Sequence, residues 1–112
     1  MNYSLTESDI AAIMAALPLV PLIDIGDEAL KITNAAHCIS VGEKLARRDR
    51  HITKKEGAVI CSAITGAFML LSGQCPELFH HVDDELRKEI APHLFTYNRL
   101  IPLFDDLLQI EE

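Results

Sequence analysis

The sequence predicts an all-α fold: a single-domain bundle of four to five helices around a central buried helix at about 53–73. Three observations predict it. Two segments, "LTESDI" and "TKKE", carry capping-box patterns just ahead of apolar runs with helical spacing. No segment alternates apolar and polar residues with period two, the mark of a half-buried strand. Apolar residues make up 49% of the chain, yet aromatics are only 5% and Trp is absent, so the core must be built from small and aliphatic side chains that suit close helix packing. At 112 residues the chain can bury such a core as one domain without disulfide or metal staples.

The first helix opens with Thr6 as N-cap, Asp9 three residues on, and Leu5 and Ile10 placed as a hydrophobic staple. Ile10, Ile13, Met14 and Leu17 then share one face. Pro18 and Pro21 end it and hold "PLVPLIDIG" as a connector whose apolar content implies packing against the body. A second helix is expected over about 27–48, with Asp27 and Glu28 at its positive end and Arg47 and Arg48 at its negative end. Its apolar arc of Leu30, Cys38, Val41 and Leu45 widens through Ala35, Ile39 and Ala46, enough to meet more than one neighbour. A fourth helix is expected from Pro76, with Leu78, Val82, Leu86 and Ile90 as a narrow stripe. Pro92 and Pro102 divide the remainder into two short helices or one kinked helix.

Thr53 and Glu56 cap the third helix, which carries the stretch "GAVICSAITGAFMLLSG". Residues 57–76 are uncharged, the nominal length of a membrane span. Ser62, Thr65, Ser72 and Gln74 interrupt that run, and its continuous apolar part is roughly sixteen residues, where a buried core helix is the commoner solution. Around the helix axis, Val59, Ile60, Ile64, Phe68, Leu70 and Leu71 make a bulky side. Ala58, Ser62, Thr65, Gly66 and Gly73 make a small one. Gly66 costs about 1 kcal/mol of helix propensity relative to Ala, which points to a packing reason for it.

Function is less legible. The net charge of −7 argues against non-specific nucleic-acid binding. Its distribution is uneven, with six basic residues against three acidic between 43 and 56, and nine acidic against three basic from 77 onward. The basic corner (Arg47, Arg48, Arg50, Lys54, Lys55) is one expected partner-binding surface. It is not a helix–turn–helix, because "GAVICSAITGAF" lacks the polar side chains that read base edges. A second expected surface is the apolar C-terminal face of Tyr97, Leu100, Ile101, Phe104 and Leu108, offered to a partner or a second copy. The acidic residues Asp83, Asp84 and Glu85 form a third surface, suited to a basic partner.

The segment "FHHVDDELRKE" pairs His80 with Asp84 and His81 with Glu85 at a spacing that chelates metal on a helix, and His93 joins them if the chain folds back. No HExxH or Cys/His spacing completes that site, so a solvated charged face is favoured. His37 lies at the edge of the second helix's arc with Asn34 inside it, a polar pair expected to be satisfied by backbone or by a partner subunit. Cys38, Cys61 and Cys75 have no metal-type spacing and read as thiols in a reducing compartment. No nucleophile–base set, phosphate loop or CxxC is present, so no enzyme activity and no cofactor are expected. The first charges, Glu7 and Asp9, are acidic and no basic stretch precedes the apolar residues, which favours a cytoplasmic address. The expected role is a small acidic regulatory, adaptor or inhibitor-like interaction module that self-associates. The alternative is a divalent-metal-binding or metal-sensing protein using His80, His81 and Asp84. Neither nucleic acid nor membrane is an expected partner.

Overall fold

Side-chain caps set where the helices begin. In a computed structural model, which describes residues 5–23, 28–49 and 51–108, Thr6 accepts from the Asp9 amide while Asp9 accepts from the Thr6 amide, each at 3.1 Å. This closes the first capping box and starts α1 (Glu7–Ala16). Thr53 and Glu56 do the same for α3 (Lys54–Leu71), at 3.2 and 2.9 Å. Between them lie a 3-10 turn (Leu17–Leu22) built on Pro18 and Pro21, and α2 (Glu28–Ala46). After α3 come a 3-10 turn (Pro76–Leu78), α4 (Asp84–Ile90), another 3-10 turn (Ala91–His93) and α5 (Leu94–Leu108). Among the described residues there is no β-strand, so the all-α class holds.

Helices α2 and α3 end the same way with different residues. Gly73 closes α3 in the left-handed region (φ 73°), its amide on the Leu70 carbonyl and the Gln74 amide on Met69. Arg48 takes the equivalent place after α2 (φ 61°), with its amide on Leu45 and the Asp49 amide on Lys44. A non-glycine residue there is strained, by about 1 kcal/mol. The Arg48 guanidinium offsets this by donating to the Leu45 and Ala46 carbonyls, at 2.9 and 3.2 Å.

The fourth helix starts later than expected. Pro76 opens only a three-residue 3-10 turn, and the helix waits for Asp83, whose carboxylate accepts from the Leu86 amide at 3.0 Å. Leu78, Val82, Leu86 and Ile90 still face inward, but turns carry the first two. Pro102 neither breaks nor divides α5. Pro102 and Asn98 both lie on the exposed side, where water can take over the carbonyl that loses its donor.

Helix α3 is the hub, packed against α1, α2, α5 and the Leu17–Leu22 turn. Ile60, Ala63, Ile64 and Ala67 are wholly buried, facing Ala12, Ile13 and Ala16 of α1 and Tyr97, Leu100 and Phe104 of α5 in one core. The small side of α3 meets the connector. A methyl group on Gly66 would lie 3.1 Å from Ile23 Cδ1 and 3.3 Å from Leu19 Cδ2, so glycine is what lets the connector come so close. The radius of gyration, 13.1 Å, is the value of about 13 Å expected of one compact domain of this length. Among the described residues, no helix is long and apolar enough to cross a membrane.

Candidate functional site

Two buried carboxylates hold the framework on which any site must sit, and both are the acids of capping boxes. Asp9 is 2% exposed and is gripped by Arg99 of α5. Glu56, 3% exposed, accepts from Lys44 Nζ and Ser40 Oγ of α2, each at 2.6 Å, as well as from the Thr53 amide. Burial opposes its charge, but these three donors outweigh burial and hold the carboxyl down at about 2. Both carboxylate oxygens of Glu56 are bonded within the fold, so the group ties α3 to α2.

The same ties reshape the basic corner. Arg48 caps α2 and forms a two-pronged pair with Glu7, at 2.9 and 2.6 Å, which lowers the Glu7 carboxyl and raises the guanidinium. Arg47 is mostly exposed, 4.0 Å from Asp49, and Lys54 and Lys55 are exposed. Arg50 lies outside the described residues. Of the five basic residues named from sequence, Lys54 and Lys55 are the described ones turned outward without an ion pair, and Arg47 has only its long pair to Asp49.

Most of the C-terminal face is turned into the core. Tyr97, Leu100 and Phe104 are wholly buried and Ile101 is half-buried; the side chain of Leu108 lies outside the described residues. Spaced three and four apart, these residues form the broadest apolar arc of α5, and the core claims it. The Tyr97 hydroxyl donates to the Ala12 carbonyl at 2.7 Å, and burial pushes its phenol well above the ordinary value. The large apolar side chains that α5 leaves exposed, among the described residues, are Phe95, 85% exposed, and Leu103.

The histidine cluster also changes form. His80 and His81 precede α4, so the four-residue helical spacing to Asp84 and Glu85 is absent. His80 Nδ1 pairs with the Glu77 carbonyl at 2.8 Å and its ring lies 4.3 Å from that of His81, while His93 sits edge-on to Tyr97. Among the described residues, no three His, Cys, Asp or Glu side chains are placed to hold a metal ion. Asp83 is a cap, and Asp84 and Glu85 are exposed. The three cysteines are unpaired. Burial pushes the Cys38 thiol up to about 11, where it donates to the Leu17 carbonyl, and burial raises Cys61 also. Cys75 is exposed.

Two concave features run along opposite flanks of α2; sequence reasoning singled out Asn34 and His37 of the second but neither feature as such. One is an apolar groove of about 410 Å³ where Met14, Leu17, Pro18 and Pro21 face Ala35, Cys38, Ile39 and Gly42. Beside it, Ile32 and Ile39 stand 71% and 65% exposed. The other is a crevice between α2 and α3, lined by Asn34, His37, Lys55 and Ser62. The signal for the first was present, since Ile32 and Ile39 are seven apart, two turns of one helix face. The second needed the pairing of helices, which no single segment encodes. Comparison of the chain with protein-family models, with curated proteins and with solved structures yields no match.

Proposed function

We propose that the protein is a non-catalytic interaction module that pairs with a second copy of itself through α2 and the Leu17–Leu22 turn. The observation that carries this reading is the adjacency of a ridge and a groove on one face. Ile32 and Ile39 project from α2, while the apolar groove of Met14, Pro18 and Pro21 lies directly beside Ile39. A face with both a knob and a hole is complementary to itself, as a two-fold interface requires. Antiparallel α2 helices also oppose their dipoles favourably. Burying two isoleucines of this exposure contributes about 1.5–3 kcal/mol each, the scale at which a few central residues dominate an interface.

Light scattering on the eluting peak of a sizing column tests this. The expected mass is twice 12.4 kDa for the wild type, falling to one chain in Ile39→Glu with helicity unchanged by circular dichroism. A wild-type protein that stays at one chain at the highest attainable concentration overturns self-association.

A further inference from the structure

On the flank of α2 away from that groove, Thr33, Asn34 and His37 face Lys55, Ala58 and Ser62 of α3 across a cavity of about 270 Å³. Asn34 and Ser62 also line a second cavity of about 230 Å³, whose far end is apolar, with Ile23, Met69 and Phe79. Sharing two residues, the cavities form one crevice. From Lys55 to Met69 it follows α3 for about 21 Å, at about 1.5 Å per residue.

The polar end of this crevice is open to solvent, and its side chains are free to meet a ligand. Among the described residues, the side chains of Asn34, His37, Lys55 and Ser62 exchange no hydrogen bond or ion pair with the rest of the chain. Thr33 donates to the Ala29 carbonyl at 3.0 Å and keeps its lone pairs. Asn34 and His37 are half-buried, so a ligand lying in the crevice can take the place of the water that otherwise meets them. Among the described residues that line the two cavities, Lys55 brings an ammonium and none brings a carboxylate. The other end offers a hydrocarbon wall. A pocket with a few convergent donors at one end and an apolar floor at the other suits a ligand with a head and a tail.

We propose that the crevice between α2 and α3 binds a small anionic amphiphile, its carboxylate or phosphate head held by Lys55, Asn34 and Ser62 and its hydrocarbon tail laid toward Met69 and Phe79. The site uses the opposite flank of α2 from the pairing face and does not depend on it.

Titration of the ¹⁵N-labelled protein with octanoate and with octyl phosphate, followed by amide chemical shifts, tests the site. At least one of the two saturates, with the largest shifts at Asn34, Ala58, Ser62 and Gly66, and the tighter of them identifies the head group. Octanol, which keeps the tail and loses the charge, binds about tenfold more weakly, as does acetate, which keeps the charge and loses the tail. Lys55→Gln, an exposed change, weakens the anionic amphiphile about fivefold while leaving octanol unaffected. Ser62→Leu fills the crevice and abolishes binding; circular dichroism checks that both variants stay folded. Four results overturn the proposal: no saturable shift with either amphiphile, equal affinity for octanol, indifference to Lys55→Gln, or shifts centred on Pro18 and Ile39.

Discussion

At the scale of single residues, the informative side chains are the ones that do two jobs. Glu56 caps α3 and ties it to α2 through Lys44 and Ser40. Its folded-state value of about 2 lies below the ordinary 4.5, so the carboxylate's contribution is complete above about pH 4.5 and is lost as pH falls toward 2. That contribution is about 3 kcal/mol. Urea titrations at a series of pH values should show stability falling across this window in the wild type and a shallower fall in Glu56→Gln. The variant should also be less stable at neutral pH, because Lys44 loses its counter-charge. Arg48 is the second case, since it sits in a left-handed conformation that its own guanidinium bonds help to hold. Arg48→Ala keeps the strain and loses the bonds, whereas Arg48→Gly loses both. Thermal unfolding should find the glycine variant more stable than the alanine variant by about 1 kcal/mol.

At the scale of elements, α3 is decided by its two unlike sides. Its bulky side fills the core, and its small side lets the connector approach Gly66 and leaves the crevice over Ala58 and Ser62. Gly66→Ala gains about 1 kcal/mol of helix propensity against a contact that Ile23 and Leu19 must yield a few tenths of an ångström to admit, so its effect should be close to neutral. Gly66→Val cannot be absorbed in this way and should cost about 2 kcal/mol in chemical denaturation. The pairing of α5 with α1 has its own marker. Tyr97→Phe keeps the packing but removes the donor to Ala12, and should cost about 1 kcal/mol.

At the scale of the whole molecule, the outward-facing chemistry is apolar on one flank of α2 and polar on the other, while Arg48, Glu56 and Asp83 of the charged clusters are taken up by caps and ion pairs. A helical module of this kind should be indifferent to metal. Thermal unfolding with excess Zn²⁺ and with chelator should give the same midpoint; a rise with Zn²⁺ that His80→Ala and His81→Ala abolish would instead support the metal-binding alternative. The fold was legible to the extent that its signals are local. Capping boxes at Thr6 and Thr53 and the division of α3 into a bulky and a small side read out over a few residues. The start of α4 was misread because proline permits a helix without requiring one, and the cap at Asp83 prevailed.

The sequence by itself determined the helix class, the two capped starts and the identity of the central helix, because backbone satisfaction and apolar periodicity are properties of neighbouring residues. Only the tertiary structure decided which faces are used up. Tyr97, Leu100 and Phe104 looked available because a segment cannot show what packs on it, and α3 and α1 claimed them. Asp9 and Glu56 read as simple caps until Arg99 and Lys44 arrived from distant helices. The groove and the crevice exist only because α2 lies against two different neighbours. A concave surface belongs to a pair of elements, and a single segment read alone has none to show.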